Sequence, residues 1–584
     1  MRSLVFDIET DDLKATKIWC MVAQDSDSGK IYKFAPHELE SGLELLQSAD
    51  ELIGHNIIGF DVPVIKKLTG VDLTNKVLLD TLILSRLFNP VREGGHSLEM
   101  WGYRLNFPKI EFDSFESYTP EMLLYCERDV KLNTALLDAL RKESKGFSKE
   151  SVQLEHQIAP ILKDQEEDGF EFDVEKASVL LSTLYKRMSE VEEEVHKTFL
   201  PRVVRERIIP QHNKDNSLSK LGLNIDTRKK TRLDQHEIVK FQEGTKQVER
   251  VYEEPFNLGS RKQIGQYLIE FGWKPKKLTK NGQPIVDERT LSRIKDIPEA
   301  QLIAEFLLIQ KRIAMVESWI NAVEDDGRIH GFVIPNGAIT GRMTHRNPNT
   351  AQIPSVSSPY GKECRECWTV RKGYELVGID ASGLELRMLA HYMKDEGFTY
   401  EIINGDIHTH NQKLAGLQSR NQSKTFIYAL LYGAGNKKIG SVVGGSEKDG
   451  QKLRERFFAN QPTFKTLRDR VTQASAKGFL RGLDGRKIHI RNSHAALNTL
   501  LQGGGSVAMK RALVILNNKA KESNIDYKFV ANVHDEWQVE VKKEQAKLFG
   551  ELGVTAIKEA GDYYNMRCPL DGEYKIGGNW SETH

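Results

Sequence analysis

Residues 377–393, VGIDASGLELRMLAHYM, constrain the fold most: an apolar, strand-like run stops on Asp380 and a helical pattern starts at Leu384. A carboxylate at the end of a buried strand is costly unless something cationic meets it, and a bound metal ion is the usual answer. Asp380 is therefore a metal-ligand candidate. Acids after strands also serve in turns and helix caps, so the reading depends on partners from elsewhere in the chain.

Two later segments supply them. Residues 420–433, RNQSKTFIYALLYG, read as a helix in which Arg420, Lys424 and Tyr428 are four apart and stack along one face. Two cations and an aromatic on one stripe suit a polyphosphate that carries a base. Residues 527–541, YKFVANVHDEWQVEV, read as two short strands joined at His534, Asp535 and Glu536, with two adjacent carboxylates at the hairpin tip.

A second acidic set lies in the N-terminal third. In SLVFDIE, Asp7 and Glu9 are two apart on a strand and share a face. HNIIGFDVPVI adds Asn56 and Asp61, and the helical run PEMLLYCERDVKLNTALLDAL puts Tyr125 and Asp129 four apart on one face. Carboxylates gathered this way repel one another unless metal is bound.

In this order, residues 377–393, 420–433 and 527–541 resemble motifs A, B and C of the family A DNA polymerases. The wording is similar to that of the T-seven-type phage replicative enzymes over nearly the whole chain, and the N-terminal set resembles the DEDD-type 3′ to 5′ exonucleases. The resemblance implies a mixed α/β fold: an RNase H-like exonuclease domain at 1–148, then a right-hand polymerase with an antiparallel palm sheet and helical thumb and fingers. The expected thumb is 149–325 with a basic insertion at about 201–254. The palm takes 326–400 and 481–584, and the fingers 401–480.

The implied function is template-directed DNA synthesis with 3′ to 5′ proofreading, by two-metal-ion nucleotidyl transfer and phosphodiester hydrolysis. Asp380, Asp535 and Ala381 would hold two Mg²⁺ ions, with Mn²⁺ as a substitute, in one centre. Asp7, Glu9, Asp61 and Asp129 would do so in the other, where Tyr125 orients the attacking water. Arg420 and Lys424 would bind the triphosphate, with His408 also on the phosphate side. Tyr428 would sit by the sugar and base and favour dideoxy termination. Glu385 would fill the space a ribose 2′-hydroxyl needs. Arg342 and Gln352 would contact primer and template, as would Asn498 and Gln502 in LNTLLQGGGS, and His534 would lie by the primer terminus, while Glu536 is a supporting acid. The tail GGNWSETH resembles the endings of phage enzymes.

Composition adds limits. At 584 residues the chain needs several domains, and the start MRSLVFDIETDD suggests no signal or transit peptide and no 5′ nuclease domain before Asp7. No long uncharged apolar run suggests a membrane span, and five scattered cysteines, including the CxxC of Cys364 and Cys367, read as thiols of a cytoplasmic protein. A net charge of +1 gives no global sign of nucleic acid, but residues 197–234 hold ten Lys/Arg against four Asp/Glu. Periodicity fades over 201–254, where Pro201 and Pro210 appear. The resemblance implies a processivity partner such as host thioredoxin at this insertion; a segment that tracks phosphates itself is the alternative. Primer-template DNA and dNTPs are the implied substrates, with helicase-primase as a further partner. The alternatives to a replicative phage enzyme are a repair or organellar family A polymerase, or a DNA-binding structural subunit with degenerate centres. The presence of every expected ligand disfavours the last.

Overall fold

The computed structural model describes residues 2–584. The chain forms two compact units: 1–173 together with 322–584, and 174–321.

The first unit opens with a five-stranded sheet. In chain order its strands are β1 (Ser3–Thr10), β2 (Ile18–Asp25), β3 (Ile31–Phe34), β4 (Glu51–Gly54) and β5 (Val77–Asp80), arranged β3-β2-β1-β4-β5. β1 runs antiparallel to β2 and parallel to β4. Because strand side chains alternate, Leu4, Phe6 and Ile8 enter one apolar cluster while Val5 enters another, with Cys20, Val22, Met122, Cys126 and Val130. Asp7 and Glu9 follow Val5 on that second face. The helix Pro120–Glu143 packs there, started by Thr119, whose hydroxyl accepts the Met122 N–H, and by Pro120 at its first position.

Later in this unit comes an antiparallel sheet ordered Tyr527–Val533, Glu536–Lys542, Tyr374–Ala381, Gly572–Gly577. The 27-residue helix Ala496–Glu522 and the helix Ala546–Tyr563 belong to the same large apolar core. The helix Lys149–Asp168 also packs in this unit, against the strand Tyr527–Val533 and the helix Ala496–Glu522. The second compact unit starts at Val174.

In that second unit the helices Val174–His196 and Pro298–Ile320 pack together. The stretch expected to lose periodicity folds instead into an antiparallel four-stranded sheet with Arg202–Ile209 and Val248–Glu254 as neighbours, plus a helix Gln235–Gln242. Its core is small: Ile208, Leu233, Phe241 and Val248. Val203, Arg205 and Arg207 point to solvent from one strand, so apolar alternation is absent there although the backbone is extended. Among the described residues, no helix is long and apolar enough to cross a membrane.

Candidate active sites

The strand Tyr374–Ala381 carries Asp380 out of the core. Leu376, Val377 and Ile379 are fully buried, and the chain then turns through Gly383, at φ +60°, into the helix Leu384–Met393. Asp380 lies opposite Glu536 on one neighbouring strand and opposite Glu573 on the other, so the three acids form a row on one sheet face. Asp535 sits in the adjoining turn beside His534, which takes φ +60°, and its carbonyl accepts the Ala381 N–H at 3.0 Å. That bond docks the turn against the end of the Asp380 strand. Glu536 is not at the hairpin tip; it begins the next strand and is buried.

Burial, then the charges of Asp535 and Glu536, raise Asp380 to about 7. Burial raises Asp535 as well. Burial alone would raise Glu536 too, but His584, Trp580 and Gln538 hydrogen-bond to it and hold it below the usual range. The tail makes this possible: the Trp580 indole donates to Glu536 Oε1 at 2.6 Å, and His584 Nδ1 lies 2.7 Å from Oε2. Gly378 is required beneath the tail, since a Cβ there would meet the Thr583 carbonyl at 2.3 Å. Sequence reading gave the tail no role and missed Glu573 and His584. A tryptophan in an otherwise polar, glycine-rich ending was the available signal of docking.

The helix Arg420–Leu431, capped by Ser419, presents exposed Arg420 and Lys424 and half-buried Tyr428. Arg420 is paired with Asp406 at 2.6 Å. His408 lies near both cations, its ring centre 6.4 Å from that of Tyr428. Tyr428 stacks on Tyr432, whose hydroxyl is 3.3 Å from Glu385 Oε2, while Arg342 reaches Glu385 Oε1 at 3.6 Å. Tyr432 and its link to Glu385 were not foreseen. Asn498 and Gln502 are half-buried one turn apart on the helix Ala496–Glu522, and Gln352 is exposed on a short 3₁₀ turn. Arg342 and His534 line one small pocket with Met343, Ser506 and Asn532.

In the N-terminal centre, Asp7, Glu9 and Cys126 each bring a donor atom to within 4.8 Å of the others. The Cys126 thiol donates to the Asp7 carbonyl at 3.4 Å, and burial raises its pKa, so it stays protonated and is a poor ligand for a hard cation. The carboxylates are the better donors. Burial and then Asp61 raise Asp7; burial and then Asp129 raise Glu9 to about 9. Asp61 starts the helix Asp61–Thr69, accepts the Ile8 N–H at 3.2 Å and is raised by burial to about 7. Asp129 is buried, with Oδ2 2.6 Å from Lys109 Nζ. Its Oδ1 is buried with no hydrogen-bond partner among the described residues. Such a set of crowded acids, with an orphaned oxygen, fits a divalent cation held by oxygen ligands. Beside it, Asp80 accepts the N–H groups of Asn56 at 2.9 Å and Ile58 at 3.2 Å and caps the helix Thr81–Phe88, a structural hub that sequence reading passed over.

The profile of DNA polymerase family A matches residues 228–582. The DNA-directed DNA polymerases of Enterobacteria phage T3 and Escherichia phage T7 are each 35% identical over 100% of both chains. Those alignments span 708 positions, so the phage relatives carry segments that this 584-residue chain lacks. The fold is similar to a solved structure described as the POL domain of Pol1 from M. smegmatis in complex with DNA primer-template and dNTP. The TM-score is 0.79 at 18% identity, covering 100% of this chain and 96% of that one. With a profile over more than half its length and full-length relatives at this identity, the chain belongs to DNA polymerase family A, the DNA-directed DNA polymerases that work with divalent metal ions.

Proposed function

We propose that this polymerase is of the replicative phage type, acts in the cytoplasm of a bacterial host on primer-template DNA and dNTPs, and proofreads its product with a 3′ to 5′ exonuclease in residues 1–148. The observation that carries the reading is two separate carboxylate centres on one chain: Asp380 beside the docked Asp535 turn, and Asp7 with Glu9 facing the Tyr125–Asp129 helix. The palm (326–400 and 481–584), fingers (401–480) and thumb (149–325) are assigned with the same proposal.

Asp380, Asp535 and the backbone of Ala381 would hold the ions of the polymerase centre; Asp7, Glu9, Asp61 and Asp129 would hold those of the nuclease. Bound Mg²⁺, or Mn²⁺ in its place, would supply charge neutralisation and a lower pKa for a ligated hydroxyl or water. In synthesis the primer's 3′ oxygen attacks the α-phosphorus and pyrophosphate leaves. Lys424 and Arg420 meet the triphosphate oxygens, since fixed cations stabilise charge that develops there. Arg420 meets Asp406 through Nε, which leaves its terminal nitrogens for the phosphates. Tyr428 packs on the sugar and base, and Glu385, braced by Tyr432 and Arg342, closes the space beside C2′. In hydrolysis Tyr125 orients the attacking water over Asp129. Arg342, Gln352, Asn498, Gln502 and His534 contact the duplex and primer end.

The basic module at 201–254 is proposed to receive a processivity partner such as host thioredoxin, or the phosphates of DNA directly. Co-elution with thioredoxin on gel filtration favours the first; salt-sensitive DNA binding without it favours the second. The main test is extension of a 5′-labelled primer with and without dNTPs. Wild type extends with dNTPs and shortens primer without them, Asp380→Ala only shortens, and Asp7→Ala only extends. Neither reaction from wild type, with thioredoxin added, would sink the reading.

A further inference from the structure

Lys109 lies in the aperiodic segment between the helices Leu98–Arg104 and Pro120–Glu143, a stretch that carried no motif. Its ammonium is 2.6 Å from Asp129 Oδ2 and 4.7 Å from the centre of the Tyr125 ring. The segment is fastened on both sides of it. Arg128 Nε donates to the Pro108 carbonyl at 2.9 Å, and the Arg128 guanidinium covers the Phe107 ring at 3.5 Å. Further on, the Phe112 ring lies 5.4 Å from that of Tyr125. Lys109 is thus a mostly buried cation built into the wall of the centre, with 23% of its side chain exposed.

A carboxylate oxygen that accepts an ammonium hydrogen bond at this distance has spent its best-directed lone pair there. A divalent ion seeking the same oxygen must share it with, or displace, a positive charge. Asp129's other oxygen is buried and unpartnered, so the carboxylate keeps one free ligand face while the other is held.

We propose that Lys109 is a positioning residue of the N-terminal centre, which fixes Asp129 through the ion pair and competes with a divalent cation for it, so that Lys109 sets the metal affinity of that centre. The inference rests on the exonuclease reading above. It makes the centre's occupancy adjustable by one side chain that is not itself a ligand.

The test titrates Mn²⁺ into the full chain, follows bound ion by electron paramagnetic resonance, and isolates the component lost in Asp7→Ala. Lys109→Met should tighten that component by about tenfold, the scale on which neighbours of metal ligands act. Lys109→Arg, which keeps the charge, should return it toward wild type. The Mg²⁺ concentration giving half-maximal primer shortening should fall in parallel, and unchanged primer extension by Lys109→Met reports an intact fold. Equal or weaker Mn²⁺ binding in Lys109→Met overturns the inference. If Asp7→Ala loses primer shortening and Mn²⁺ while Lys109→Met changes neither, only the role of Lys109 fails; if Asp7→Ala changes neither, the exonuclease reading fails with it.

Discussion

The two acidic centres of this chain solve the same electrostatic problem in different ways. In the N-terminal centre the counter-cation is local: Lys109 is fastened to Asp129, and the acids are buried deeply enough that Glu9 rises to about 9. In the Asp380 centre the strand end is more open, and the cations proposed to meet the substrate, Arg420 and Lys424, stand exposed on a separate helix. One of them is already paired with Asp406. A closed centre with its own cation would suit the proposed hydrolysis of whatever strand end reaches it. An open centre whose cations stand on another element suits chemistry conditional on the incoming nucleotide.

The largest effects should come from breaking one centre and sparing the other. Asp380→Ala is expected to lower extension by about a thousandfold or more, and Asp7→Ala to do the same to shortening, each leaving the second reaction near wild type. Gel analysis of one labelled primer reads both. Loss of both reactions from either change would mean that the centres are not independent.

Next come the cations of the open centre. Lys424→Ala should cost roughly 100- to 1000-fold in kcat/KM for single-nucleotide incorporation, the range seen when one preorganised charge donor is removed. Arg420→Ala should cost less, because Asp406 already neutralises part of the Arg420 charge. Neither should slow shortening. Rapid-quench kinetics checks both, and an effect of Lys424→Ala on shortening would erase the contrast drawn above.

How much of this was legible in the sequence depends on periodicity. Asp7 with Glu9, and Tyr125 with Asp129, could be paired by counting, because strand and helix repeats fix which residues share a face. Asp380 and Asp535 stood at the ends of apolar runs and were equally readable. Glu536 was misassigned to the hairpin tip because a two-residue turn cannot be told from a three-residue one by composition. Lys109 and His584 were invisible: each reaches its partner from an aperiodic stretch, through contacts of 20 and 48 residues' separation. The sheet over 201–254 was missed because its strands bury little and carry charge, so they lack the apolar alternation that marks a strand.

A smaller effect concerns the nucleotide stripe. Tyr428→Phe removes one hydroxyl from a half-buried ring stacked on Tyr432. It is expected to leave deoxynucleotide incorporation within a few-fold while lowering dideoxynucleotide incorporation about 10- to 100-fold, the worth of one or two hydrogen bonds. Competition between the two nucleotide types on one template measures it, and equal use by the variant would remove Tyr428 from the sugar contact.

The smallest effect, on stability, bears on the comparison most directly. Asp7, Glu9 and Asp61 all have folded pKa values above those of the unfolded chain, which lie near 4. A group shifted in that direction contributes its full stability below the unfolded pKa and loses it as pH rises through the folded value. In buffer with chelator the N-terminal centre should therefore destabilise the fold progressively from about pH 4 to pH 9. Asp7→Asn removes one of the acids that the fold must keep protonated, with little change of shape. Calorimetry at pH 8 with chelator should find the variant melting roughly 2 °C above wild type, an advantage that shrinks toward pH 4, where the unfolded chain takes up the same protons, and also shrinks on addition of Mg²⁺. Asp380→Asn should give a weaker form of the same response, because Asp380 is less buried and rises only to about 7. If Asp7→Asn melts lower than wild type at pH 8, the Lys109 cation already more than offsets the repulsion, and the closed centre is stable without any divalent ion.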